Sequence, residues 1–300
     1  MDGVLVVDKP QGLTSHDVVA AARRLLGETR IGHTGTLDPL ATGVLPLAIG
    51  RATRLVRFLA SSDKAYDAAI RFGVTTDSYD ITGNETGRTG AAPREDAVVV
   101  ALRTLTGDYL QMPPAYSAKK VQGRRAYQLA RDDQPVALTP APVRVERADL
   151  VDFTDGRARV AVTCSAGFYV RSFAHALGEL VGTGACLEAL RRTRSGEFGL
   201  EAAVSLEDLG NPARVSSRLT PLDALLTGFA AVRLTDRGRE YVAHGREVEA
   251  GDYTAGPQNP PDALSGSPTW IRLLDDHAAL VAVATPGSRP GSLHPSVVLI

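Results

Sequence analysis

Two cysteines, two methionines and one tryptophan in 300 residues leave this chain few reactive or soft side chains. Cys164 and Cys186 form no C-x-x-C pair and stand in no His-rich cluster, which excludes a disulfide scaffold and the common zinc modules. So sparing a use of thiol fits a reducing compartment, and a cytoplasmic location is expected. No apolar run reaches the length of a membrane span, and Met1-Asp2-Gly3 does not open a signal peptide, so neither a membrane nor a secretory route is expected. The phosphate-cradling G-x-x-x-x-G-K-[ST] loop is absent, which argues against nucleotide-driven chemistry. Lysine is scarce as well: 29 of the 33 basic residues are arginine.

What remains is ordinary in bulk, with 44% hydrophobic and 22% charged residues, enough chain for one large domain and a small one. The net charge of −1 hides an asymmetry, because residues 1–200 sum to +3 and residues 201–300 to −4. Lys119, Lys120, Arg124, Arg125 and Arg131 follow one another with no acid between them, and Arg191, Arg192 and Arg194 form a second knot. Local basic clusters of this kind bind phosphates whatever the whole-chain sum. The alternative is a solvated helix face.

Periodicity gives the organisation. Val4 to Val7 reads as a strand. Thr14 or Ser15 caps a helix that runs to about Leu26, its inner face Val18, Val19, Ala22, Leu25 and Leu26, stopped by Gly27. Gly43 to Ile49 and Ala65 to Phe72 read as strands, and Pro93 starts a helix ending near Leu105. Arg124 to Arg131 looks helical. Val143–Phe153 and Arg157–Cys164 pair around Asp155-Gly156, and Arg171–Val181 is an amphipathic helix. Composition changes after residue 228. The stretch 229–300 is rich in proline and carries short β-like runs at Trp270–Leu274 and Ala279–Ala284. A catalytic domain over 1–228 and a small β-rich domain over 229–300 are therefore expected.

The segment from Gly32 to Gly43 concentrates the chemistry. Asp38 is the only acid between Arg30 and Asp63, set among glycines, threonines and Pro39. Paired general acid–base work needs a second tuned group. A solitary carboxylate in a tight polar loop suits a nucleophile or an electrostatic anchor, or else an Asp that merely accepts backbone hydrogen bonds.

Gly32-His33-Thr34-Gly35-Thr36-Leu37-Asp38-Pro39-Leu40-Ala41-Thr42-Gly43 resembles the signature of the TruB-type tRNA pseudouridine synthases, G-H-x-G-T-L-D-P-x-A-T-G. Further blocks follow in that family's order. Asp8-Lys9-Pro10-Gln11-Gly12 leads to Thr14-Ser15, and Lys64-Ala65-Tyr66 to Gly73-Val74-Thr75-Thr76-Asp77-Ser78-Tyr79-Asp80, where Ser78 replaces a threonine. Pro113-Pro114-Ala115-Tyr116-Ser117-Ala118-Lys119-Lys120 resembles P-P-x-Y-S-A-x-K. Cys164-Ser165-Ala166-Gly167-Phe168-Tyr169-Val170-Arg171-Ser172 resembles C-S-x-G-T-Y-I-R-[ST], with Phe168 for the usual threonine, and Leu190-Arg191-Arg192-Thr193 resembles L-R-R-[TL]. Together they span residues 3 to 200.

The resemblance implies an α+β pseudouridine synthase fold, with a mixed, mainly antiparallel central sheet flanked by helices and a PUA-like β domain at the C-terminus. It implies isomerisation of uridine to pseudouridine at position 55 in the T-arm of tRNA, with the target base flipped out. No redox change occurs, so no cofactor and no metal are expected. The implied catalytic residues are Asp38 as the reacting carboxylate, Arg171 as its partner, and Tyr66 as a base-stacking ring whose hydroxyl helps move a proton. Tyr169 and Leu190 shape the base pocket, and His33 fills the space the base vacates or meets phosphate. Lys9 contacts phosphate or supports the loop. Lys119, Lys120, Arg124 and Arg125 grip the tRNA stem-loop, and the protein is expected to act as a monomer. Two other readings compete: an inactive RNA-binding protein, and a carboxylate-dependent glycosidase, which would need a second carboxyl near Asp38.

Overall fold

A computed structural model describes residues 1–116, 120–121, 124–125, 138–255 and 270–300. Its strands are β1 (Gly3–Lys9), β2 (Ile31–His33), β3 (Ala41–Ile49), β4 (Lys64–Phe72), β5 (Val74–Thr76), β6 (Glu85–Arg88), β7 (Gly107–Gln111), β8 (Lys120–Val121), β9 (Arg124–Arg125), β10 (Ala141–Thr154), β11 (Arg157–Cys164), β12 (Ala185–Ser195), β13 (Phe198–Gly199) and β14 (Thr220–Pro221). A ten-stranded sheet has the order β14-β1-β3-β12-β4-β11-β10-β7, with β2 paired to β3 and β13 to β12. Every pairing is antiparallel except β3 with β12, where Ala41, Thr42 and Gly43 lie beside Leu190, Arg191 and Arg192. This is the mixed, mainly antiparallel sheet expected of an α+β chain. Gly43 (φ 99°) permits the parallel joint, because a Cβ there would collide with the Arg192 carbonyl.

Both faces of the sheet are covered. Leu5, Val7, Leu45, Leu47, Ala68 and Ile70 point to a core closed by the helices Ser15–Leu26, Glu95–Thr104 and Val170–Leu180. The first of these helices has the expected ends. Thr14 and Asp17 form a reciprocal capping box, and Gly27 closes it in the left-handed conformation. Leu25, expected inside, is 41% exposed. Alternate residues Val4, Val6, Val44 and Ala48 face the other way, against Leu280, Val283, Val297 and Leu299. Leu280, Val283 and Val297 belong to a second sheet, which Leu299 directly follows, made of β15 (Ala230–Leu234), β16 (Tyr253–Ala255), β17 (Ile271–Leu274), β18 (Leu280–Pro286) and β19 (Leu293–Val298), ordered β16-β15-β17-β18-β19. Phe58 joins the layers, meeting Trp270 edge-on at 4.8 Å and Phe229 at 5.9 Å between ring centroids. No helix among the described residues is long and apolar enough to cross a membrane.

The β10–β11 hairpin turns through Asp155 (φ 50°) and Gly156 (φ 68°), as the Asp-Gly pair foretells. One expectation is corrected. Arg124 and Arg125 are extended rather than helical, pairing with Val121 and Lys120, so the ladder supplies their backbone partners. The rest of the expected helix lies outside the described residues.

Candidate active site

Asp38 lies on the loop between β2 and β3, which enters the sheet at Ala41, the first residue of the parallel joint. The joint thus fixes the end of the loop that carries the carboxylate, with Ala41 beside Leu190. Its backbone is tied locally, with Ala41 N–H donating to the Asp38 carbonyl at 3.0 Å. Ser15 Oγ braces the preceding residue, accepting from Leu37 N–H at 2.8 Å.

Arg171 is the second residue of the helix Val170–Leu180, and its side chain is 8% exposed. All three guanidinium nitrogens are engaged. Nε meets Asp38 Oδ2 at 2.9 Å, Nη1 donates to the Ser78 carbonyl at 3.1 Å, and Nη2 donates to the Tyr116 carbonyl at 2.8 Å. Buried Asp80 stands 3.7 Å from Nη1, its other oxygen accepting from Ser78 Oγ, Thr82 N–H and Thr82 Oγ1. The arginine is thereby aimed rather than merely charged. Asp38 is the open end of this network, with 43% of its side chain exposed. Protein crowding around the carboxyl raises its pKa, Asp80 adds to that, and Arg171 and Lys9 oppose it.

Tyr66 on β4 is directly opposite Arg192 on β12, and Leu190 is opposite Ala68. Side chains directly opposite one another share a face of the sheet, so Tyr66, Leu190 and Arg192 form one surface. Burial raises the pKa of the Tyr66 hydroxyl, the facing Arg192 guanidinium opposes this, and Asp38 lies within electrostatic reach. Arg192 is buried, donating from Nε to the Val44 carbonyl at 2.7 Å and from Nη2 to the Gly35 carbonyl at 3.1 Å. It therefore pins the signature loop from below.

Tyr169 is the N-cap of the Arg171 helix. Gln111 holds its backbone from both sides, accepting from Tyr169 N–H at 2.8 Å and donating to its carbonyl at 3.1 Å. His33 is half-buried and meets exposed His16 edge-on, with centroids 5.4 Å apart. Burial, with help from His16 and Arg192, pushes its pKa down to about 4. A neutral ring suits stacking, not an ionic contact with phosphate.

Lys9 is fully buried and its ammonium donates to the carbonyls of Pro10 (2.9 Å) and Leu13 (2.6 Å), which fits the supporting role of the two expected for it. Burial lowers its pKa to about 8, with Asp38 opposing. The arginine knot is also spent internally, since Arg191 forms a two-pronged pair with Asp8 at 2.8 and 3.1 Å and Arg194 donates to the Gly196 carbonyl. Of the other cluster, Lys119 lies outside the described residues, and Lys120, Arg124 and Arg125 are placed by backbone alone on β8 and β9. Sequence reasoning overlooked Gln111, the buried role of Arg192 and the place of Asp80 beside the arginine. Among the described residues no three His, Cys, Asp or Glu side chains gather as metal ligands would.

A large mixed sheet carries a carboxylate–arginine pair near its parallel joint, with a tyrosine and a leucine on one of its faces. Comparison with known proteins gives the class. Residues 23–170 match the N-terminal domain of the TruB family pseudouridylate synthases, and residues 171–227 match the tRNA pseudouridylate synthase B C-terminal domain. The tRNA pseudouridine synthase B of Solibacter usitatus is 40% identical, with all of both chains covered. That of Gloeobacter violaceus is 49% identical over 78% of this chain and 82% of its own. A solved archaeal box H/ACA Nop10–Cbf5 complex contains a chain of the same fold, with TM-score 0.75 and 23% identity, covering 99% of this chain and 86% of that one. The chain belongs to the TruB family of pseudouridine synthases, which are isomerases.

Proposed function

We propose that this protein converts uridine to pseudouridine in tRNA, at position 55 in the T-arm, through Asp38. The observation that carries the reading is the Asp38–Arg171 contact, buried on the arginine side and open on the carboxylate side. In the reaction the N1–C1′ bond breaks, the base turns, and a C5–C1′ bond forms while C5 loses a proton and N1 gains one. Nothing is oxidised or reduced. Asp38 meets the sugar–base junction of a flipped nucleotide, where charge develops as the bond breaks, and the fixed Arg171 fork holds it in register. Tyr66 and Leu190 supply the wall on which uracil rests, and Tyr169 closes the helix side. Flipping costs a few kcal/mol of lost stacking, so a neutral His33 ring that occupies the vacated place offsets part of it.

Lys119, Lys120, Arg124 and Arg125 grip the stem-loop backbone, which gives binding a salt dependence. The division into a catalytic unit over 1–228 and a β unit over 229–300 belongs to the same proposal. It is supported by the family matches ending at residue 227 and by the second sheet starting at Ala230. An inactive RNA-binding role is disfavoured by the intact Asp38, Tyr66 and Arg171. A two-carboxylate glycosidase mechanism is disfavoured because the nearby Asp80 is buried behind the arginine. The test is incubation with unmodified tRNA and mapping of the product to single nucleotides, with the Asp38→Asn chain as blank. Pseudouridine at position 55 alone is expected; modification elsewhere, or an equal yield from the blank, overturns the reading.

A further inference from the structure

Tyr79 adopts a left-handed backbone (φ 65°), which an aromatic L-residue takes only at a cost. Asp155 does the same in a hairpin turn beside a glycine, where it is commonplace. Tyr79 does it next to the catalytic arginine. The two residues that flank it are the two that brace Arg171: Ser78 gives its carbonyl at 3.1 Å and Asp80 sets its carboxylate 3.7 Å from Nη1. The Tyr79 ring meanwhile lies flat on His175, with centroids 4.0 Å apart and planes 7° from parallel. His175 follows Arg171 by four residues, so both project from one face of the same helix.

The turn is also bonded to β12, with Leu187 N–H donating to the Tyr79 carbonyl at 3.0 Å and Ile81 N–H to the Leu187 carbonyl at 2.9 Å. Burial lowers the His175 pKa, with Glu179 opposing, so the imidazole stacks as a neutral ring one turn from the guanidinium. Its Nδ1 is buried with no hydrogen-bond partner among the described residues, which leaves the stack to orient it.

We propose that Tyr79 and His175 are a positioning pair that locks the 78–80 turn to the catalytic helix and so sets the aim of Arg171 at Asp38. The left-handed residue sends its two neighbours towards the guanidinium and its ring towards the helix. The stack keeps the two elements from sliding apart. Neither ring needs to touch substrate. The inference rests on the proposed role of Asp38 and Arg171.

The test uses the full chain and an unmodified T-arm stem-loop. Replacing His175→Leu removes the flat partner, and Tyr79→Asn removes the ring while keeping a residue that tolerates the left-handed backbone. Each is expected to lower kcat about tenfold with KM unchanged, because a small loss of aim acts on the chemical step. The acid limb of kcat should move to higher pH, since Arg171 then opposes protonation of Asp38 less well. Asp38 is also faced by Lys9 and Tyr66, which these changes leave in place, and by Asp80, which belongs to the turn they loosen. His175→Phe and Tyr79→Phe keep a stacked pair and should restore both kcat and the limb. Wild-type kcat with an unmoved limb in folded His175→Leu or Tyr79→Asn overturns the inference, as does a loss that the Phe variants fail to restore. If His175→Leu does not fold, Tyr79→Asn alone decides. A wild-type chain that leaves the stem-loop unmodified overturns the site reading itself.

Discussion

The strands of the large sheet serve opposite purposes on their two faces. On β1, Val4 and Val6 point into a dry contact with the second sheet, while Lys9, reached by the other alternation, is buried among carbonyls beneath the active-site loop. On one face stand Lys9, Arg171 and Arg192, all buried, and on the other Phe58, Leu280, Val283 and Leu299. Burying charge costs free energy unless each polar atom finds a partner, and here carbonyls of Pro10, Leu13, Val44, Gly35, Ser78 and Tyr116 provide them. The lesson is a division of labour within single strands: the apolar face stabilises, and the polar face spends that stability on geometry.

Substitutions on the two faces should therefore separate activity from stability. The largest effect is expected from Asp38→Asn, which keeps size and shape yet removes the charge. Pseudouridine formation should fall at least about 10⁴-fold, with stem-loop affinity held near wild type in a filter-binding assay. Arg171→Lys keeps a charge but loses the fork, and kcat should fall about 10²- to 10³-fold in a single-turnover measurement. On the opposite face, Phe58→Ala opens a hole between the sheets and should cost about 3 kcal/mol in denaturant unfolding, with kcat unchanged well below the melting temperature. A fall in kcat there would erase the distinction between the faces. Tyr66→Phe keeps the ring and removes the hydroxyl facing Arg192, and kcat should drop about tenfold. The smallest effect concerns acid. With His33 at about 4 in the fold and 6.5 unfolded, the unfolded chain binds more protons between these values, so stability falls as pH drops through that window. His33→Gln should flatten the acid loss of stability between pH 6.5 and 4 in unfolding curves.

Much of the frame was legible because its signals are local. The alternation of Tyr66, Ala68, Ile70 and Phe72 announces β4, and Thr14, Asp17 and Gly27 announce a helix with both ends. β12 was not announced. Its centre holds Leu190-Arg191-Arg192, and bulges between Leu187 and Ala189 and between Arg192 and Arg194 break the alternation a strand should show. Its charges are consumed by Asp8, Val44 and Gly35, partners at least 148 positions away in sequence. The same distance problem hid Gln111, whose amide serves Tyr169 across 58 positions. Asp38 and Arg171 were recognised by resemblance, since nothing in their spacing of 133 positions says that they touch. Asp80 had its motif but not its purpose, which only the arginine beside it supplies.

The run from Gln111 to Tyr116 is stitched to the start of the Arg171 helix at three points: Gln111 to Tyr169, the Met112 carbonyl to Ser172 Oγ, and the Tyr116 carbonyl to Arg171 itself. Tyr116 comes three residues before the basic stretch that opens at Lys119. On the proposed reading, the segment that leads into the RNA-gripping stretch is the same one whose Tyr116 carbonyl ties down the guanidinium.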